Sequence, residues 1–327
     1  MTEPLWAWIA VIGGLLVVIA IDLWIVDRGE AREFSMRQAG YWVTFYVALA
    51  AAFAVLLWNT SGADRAGEFV AGYITEYSLS IDNLFIFFII MSRFAVPKLY
   101  QHKVLLVGIL LALVMRGAFI ALGAAALERF GWLFYVFGAF LVYTGINIVR
   151  QHLKGEEEDF KENVLLRWVR RAFPTTEGYV GSKVTVRIDG RRMVTPMLIV
   201  MVAIGSTDLL FALDSIPAIF GLTKDPFIVF TANAFALMGL RQLYFLLGGL
   251  LQRLVYISYG LAFILGFIGV KLVLEALHSS HVSWAPEIPI WVSLSVIGAT
   301  MVITTVASLI KARMDTRKGE QTHSEQV

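Results

Sequence analysis

Residues 74–90 read ITEYSLSIDNLFIFFII, a run that sets Glu76, Asp82 and Asn83 into an otherwise lipid-soluble wall. An ionised carboxylate at the centre of a bilayer costs about 2.5–3.5 kcal/mol on insertion scales, so acids in such a position serve a purpose. The stretch is not isolated. Of the 327 residues 58% are hydrophobic and 16% charged, and the mean hydropathy is +0.72, far above what a soluble domain carries. Runs long enough for a membrane-crossing helix cover residues 5–26, 40–59, 67–91, 103–127, 131–149, 196–221, 226–250, 254–275 and 288–310. The ten-residue alternating strands of a membrane barrel are absent. The fold class is therefore all-α, a polytopic membrane protein of about nine transmembrane helices. The first run follows an acidic MTEP without a basic segment or an evident cleavage site, so it reads as a retained helix rather than a signal peptide.

Charge gives the orientation. With nine spans, twenty-one of the 27 lysines and arginines fall in loops on one side and three (Arg65, Arg129 and Lys224) on the other, while Arg116, Arg241 and Lys271 lie within spans. The positive-inside rule then puts the amino terminus outside and the carboxyl terminus in the cytoplasm, with a bacterial plasma membrane as the expected location. There is no cysteine, which excludes disulfides, thiolate metal sites and cysteine nucleophiles.

The chain repeats itself. The third span carries Glu76 and, six residues on, Asp82 followed by Asn83; the sixth carries Asp208 and, six residues on, Asp214 followed by Ser215. In the next helices RGAFIALGAAALERF from Arg116 resembles RQLYFLLGGLLQRL from Arg241, with Gly123 and Gly248 each seven residues after the arginine. GINI at Gly145 matches GVKL at Gly269. Three helices per copy is an odd number, so the second copy, residues 196–276, runs inverted relative to the first, residues 67–150. Two helices precede them in residues 1–66, an insert occupies 151–195, and a last helix with a basic tail fills 277–327. Inverted repeats hold their substrate near the midplane at the repeat interface, often where a helix breaks. Pro217 is the candidate breaker, because it leaves the carbonyl of Leu213 without a helical donor beside Asp214.

At 3.6 residues per turn, positions seven apart share a face, so Glu76 aligns with Asn83 and Asp208 with Ser215, while Asp82 and Asp214 point about 120° away. Counting Asp22, the spans hold five acids against three bases. Arginine pairing accounts for some of them and leaves two negative charges, which a divalent cation balances, as would two protons. The donors on offer, carboxylates with Asn83, Asn147, Asn233, Ser80 and Ser215, are oxygen ligands suited to Mg²⁺, Ca²⁺ or Mn²⁺. The candidate metal residues are Glu76, Asp82, Asn83, Asp208, Asp214, Ser215 and Asp22. All five histidines fall outside these runs, and His278 with His281 reads as a solvated loop pair. Met91, Met115 and Met238 read as packing.

EYSLSIDNLF, with FALDSIPAIFGLTKDPFIVFTANAFALMGLRQLYFLL, resembles the TerC family of integral membrane proteins, in its manganese-exporting branch. The likeness runs from AIDLWIVDR to the last span and is weakest in the insert and tail. The resemblance implies manganese export and tolerance of manganese excess, historical links to tellurium resistance, and kinship with other cation and amino-acid exporters. It carries the family's membrane acids onto Asp22, Glu76, Asp82, Asp208 and Asp214. Where the family has glutamate three residues before Asp208, this chain has Gly205, which removes one candidate ligand.

The insert opens GEEEDFKENVLLRWVRRAF, an acidic start leading into an amphipathic helix, and continues through KVTVRIDGRRMV, a hairpin turning at Asp189 and Gly190. It reads first as a tether between the repeats and second as a sensor or docking site. The expected function is export of Mn²⁺ as a transported ion, with no permanently bound cofactor, protons as a counter-ion, the bilayer as surroundings and no nucleic acid. A membrane scaffold that assists assembly or metal loading of exported proteins is the alternative. Intramembrane aspartyl proteolysis lacks its GxGD motif, and no enzymatic activity is expected.

Overall fold

The computed structural model describes residues 4–27, 36–154, 173–188, 191–247, 256–280 and 284–324, with residues 167, 171 and 282. The amphipathic stretch before Phe173 and the turn at residues 189–190 lie outside that set. The helices are α1 (Leu5–Asp27), α2 (Met36–Ser61), α3 (Ala63–Arg93), α4 (Lys98–Arg129), α5 (Leu133–Leu153), α6 (Pro196–Phe220), α7 (Pro226–Leu247), α8 (Ile257–Ser279) and α9 (Ile290–Ser324). Among the described residues eight helices are long and apolar enough to cross a membrane, and α1 adds a shorter apolar stretch over Leu5–Ile21. The chain is an all-α polytopic membrane protein.

Local chemistry sets the boundaries. Gly62, at φ 96°, turns the chain between α2 and α3 in a conformation that favours glycine. Asp225 caps α7, its carboxylate accepting the Phe227 amide at 2.9 Å, and Pro226 fills the first helical position, where its missing N–H costs nothing. Pro217 does not break α6, contrary to expectation: the helix runs through it to Phe220. It falls in the last turn, where the Gly221 amide still reaches the Pro217 carbonyl at 3.0 Å, so only one ladder bond is lost.

At the centre, α3 packs on α7 and α4 on α6. A Cβ on Gly72 would lie 3.1 Å from that of Ala232, and one on Gly108 would lie 2.7 Å from Ile204. α7 is enclosed almost entirely, with Ile228, Val229, Ala232, Ala236 and Leu237 at 0–1% exposure. Outside this quartet α5 lies against α8, and there the backbones nearly touch: a Cβ on Gly138 would stand 2.7 Å from the Gly269 carbonyl oxygen, and one on Gly145 2.6 Å from that of Ala262. Small residues of this kind let membrane helices approach closely.

The described end of the insert folds against the bundle. Strands β1 (Thr185–Ile188) and β2 (Arg191–Val194) pair antiparallel with Ile188 opposite Arg191, and the Thr176 amide bonds the Val194 carbonyl at 2.9 Å. Val194 is buried, and Tyr179 and Val184 pack on the same core cluster as Phe87, Met91 and Leu105. The Tyr179 hydroxyl donates to the Phe94 carbonyl at 2.8 Å, and Lys103 Nζ donates to Ser182 Oγ at 3.0 Å. Apolar burial with two polar ties makes residues 173–188 and 191–195 a cap on the α3–α4 turn.

Substituting Gly138 or Gly269 by valine sets a methyl-bearing carbon against a carbonyl that cannot move aside. A cost of about 1–3 kcal/mol or more is expected, read as a lower thermal midpoint in detergent, with little change for Gly266→Ala, where nothing lies within 4 Å. Burial pushes the Tyr179 phenol up to about 12. Its neutral form is therefore favoured on folding, and its contribution is full below pH 10 and lost as pH rises through 12. Proteolysis within 173–195 should stay flat up to pH 10 and climb above it. Tyr179→Phe, which leaves the Phe94 carbonyl without its hydroxyl donor at a cost of about 1 kcal/mol, should raise cleavage already at neutral pH.

Candidate cation site in the helix bundle

Three charged side chains meet in the middle of the bundle. Glu76 of α3 is 0% exposed, Arg116 of α4 0% and Asp208 of α6 2%. Asp208 stands at the midpoint of α6, and Glu76 and Arg116 are close to the middle of their helices. Arg116 Nε and Nη2 bond the two Asp208 oxygens at 3.1 Å each, a fork-to-fork geometry matched to the planar guanidinium. Its Nη1 forms an ion pair with Glu76 and donates to Ser215 Oγ at 3.3 Å. Two carboxylates facing one guanidinium leave one formal negative charge in a fully buried place, tolerable only because every arginine nitrogen is engaged.

The helical spacing explains which expected residues converge. Ser215 lies seven residues beyond Asp208 and reaches the same arginine. Asp214 does not: it turns about a third of a revolution towards α5, where the Thr144 hydroxyl donates to it at 3.5 Å, and no cation pairs with it among the described residues. Asn83 is buried, seven residues from Glu76. The side chains of Asp22 and Asp82 lie outside the described set. Gly205 leaves no vacancy, since a Cβ there would stand 2.4 Å from Leu111 Cδ2; α4 fills the space that a glutamate would need.

Other polar groups line the same helices. Ser206 and Thr207 spend their hydroxyls on the carbonyls one turn back. The hydroxyls of Thr75 and Ser80 and both amide atoms of Asn233 are buried and make no hydrogen bond among the described residues, an arrangement that suits a hydrated or ion-bearing state better than a dry one. Nothing in the residue pattern marked Thr144, an uncharged residue on an apolar helix. His278 belongs to the last turn of α8 rather than to a loop and contacts the Ala285 carbonyl at 3.1 Å; His281 lies outside the described residues. Among those residues no three acidic or imidazole groups gather as a ready-made metal cage.

Each end of the bundle carries polar ties between its elements. On one end sits the 173–195 cap. On the other, Arg65 pairs with Asp225, Thr223 donates to Glu68 at 2.5 Å, and Lys224 meets Glu275 at 2.7 Å, tying the α6–α7 turn to α3 and α8. These ties were not legible because Arg65 and Asp225 are 160 residues apart and each reads as an ordinary loop charge.

Comparison with known proteins gives this architecture relatives. Residues 61–316 match the integral membrane protein TerC family. An uncharacterized membrane protein of Mycobacterium tuberculosis is 44% identical over 91% of this chain and 79% of its own length. One from Myxococcus xanthus is 40% identical over 94% and 92%. The putative membrane-bound redox modulator Alx of Escherichia coli is 37% identical over 97% and 98%. No solved structure matches. With most of its length matched by the family and by relatives over most of theirs, the chain belongs to the TerC family of integral membrane proteins.

Proposed function

We propose that the protein exports divalent metal cations, Mn²⁺ foremost, through the carboxylate site between two inverted three-helix repeats. The observation that carries the reading is the convergence of Glu76 and Asp208, 132 positions apart in sequence and equivalent in the repeat, on one buried midpoint of a membrane bundle. Such sites are where inverted-repeat transporters bind their substrates. The packing supports the repeat: exchanging the copies turns the α3–α7 contact into the α6–α4 contact. It likewise turns the Gly138–Gly269 approach into that of Ala262 and Gly145, seven residues away on each side. Glu76, Asp208 and Ser215 offer oxygen donors only, as hard cations require, with Asp82, Asn83, Asp214 and Asp22 as further stations. Protons serve as counter-ion, because carboxylates bind metal deprotonated. The side whose loops hold most of the lysines and arginines, which also carries the cap, is the cytoplasmic one, in a bacterial plasma membrane.

The name of the Escherichia coli relative speaks of redox modulation. This chain has no cysteine, so its own residues supply no thiol exchange, and the cation reading requires none. Purified protein in liposomes should carry Mn²⁺ in preference to Mg²⁺ and Ca²⁺. Glu76→Gln, Asp208→Asn, Asp82→Asn and Asp214→Asn should each cut the flux by about tenfold or more, equivalent to losing one charged contact. Intact variants at full rate, or native protein with no flux for any of the three ions, would instead favour a scaffold acting on exported proteins.

A further inference from the structure

We propose that Arg116 is a tethered stand-in for the transported cation: its guanidinium occupies the empty site and must leave when a divalent ion enters. The inference rests on the cation-transport reading and adds how the site is kept between loads. The atoms that Arg116 engages, both Asp208 oxygens, Glu76 Oε1 and Ser215 Oγ, are the donors that a hard divalent ion would take. Such an ion sits about 2.0–2.6 Å from its oxygens, inside the space the guanidinium now fills. The two positive groups therefore exclude each other on charge and on volume.

The charge balance gives the exchange a purpose. Without any cation or proton, two bare carboxylates would stand at the midpoint of the bundle, a costly state in a membrane protein. With arginine bound the site carries one negative charge, and with a divalent ion in its place the two carboxylates are neutralised. The empty site can thus switch between the two sides of the membrane with one of its two carboxylates already balanced. The four contacts also bias against weakly held ions, since a cation must outcompete a forked, fully buried arginine. A structural arginine that merely glues α3, α4 and α6 together would make the same contacts, but its removal would not improve cation binding.

The test uses the full chain. Mn²⁺ binding is measured in detergent by calorimetry, and Mn²⁺ flux in proteoliposomes, for the native protein and for Arg116→Gln. The variant is expected to bind Mn²⁺ about tenfold more tightly yet to turn over more slowly, because the ion is no longer driven out. Millimolar guanidinium, far below denaturing levels, should weaken Mn²⁺ binding to Arg116→Gln and leave the native protein unaffected. If the variant does not fold, Arg116→Lys keeps the charge but loses the fork, and tighter Mn²⁺ binding than native is again expected. Equal or weaker binding by the folded variant, or indifference to guanidinium, overturns the stand-in role while leaving transport by the native chain in place. Absence of Mn²⁺ binding and flux in native and variant protein alike overturns both.

Discussion

The buried contact of Arg116 with Glu76 and Asp208 sets the arrangement of the bundle in this structure. A guanidinium that must satisfy two carboxylates and a hydroxyl from different helices specifies the relative height and rotation of α3, α4 and α6. Apolar side chains alone would not, because lipid offers them surroundings as favourable as protein does. Once those three helices are set, α7 has one slot, between α3 and α4, and its small residues Ala232, Ala234 and Ala236 let it be enclosed there. The remaining helices then dress a core whose geometry is already determined.

The same contact explains how acids persist in such surroundings. Ionic groups in a low-dielectric interior are stable when every partner is present and costly when one is missing. That asymmetry makes the buried cluster sensitive to any change in its complement of charge, as the proposed cation exchange requires. Asp214 follows another logic. Facing Thr144 rather than an arginine, it holds its place on a single long hydrogen bond, apart from the arginine-centred cluster.

Much of the fold was legible because hydropathy and spacing act over one helix at a time. Nine apolar runs, and the seven-residue alignment of Asp208 with Ser215, follow from helix geometry alone. The internal similarity around Arg116 and Arg241 also needed no structure. What escaped notice depends on distance along the chain. Lys103 with Ser182, Arg65 with Asp225 and Thr144 with Asp214 are pairings set by packing, and none of these residues looks unusual where it stands. Pro217 misled for a related reason: the bond it costs, at the Leu213 carbonyl, is a single one near the end of α6, and the turn beyond it still closes through the Gly221 amide. Gly205 read as a missing ligand, whereas in space it is the seat of Leu111.

The glycine contact between α5 and α8 has a mechanical meaning. Where carbonyl oxygens lie within van der Waals reach of the opposing Cα, at Gly138 against Gly269 and at Gly145 against Ala262, two helices interlock like the halves of a hinge pin. They cannot slide past each other without parting. Relative motion in this protein must therefore be sought where large flexible side chains lie between helices, with α5 and α8 moving as one rigid strut that carries Thr144 along with it.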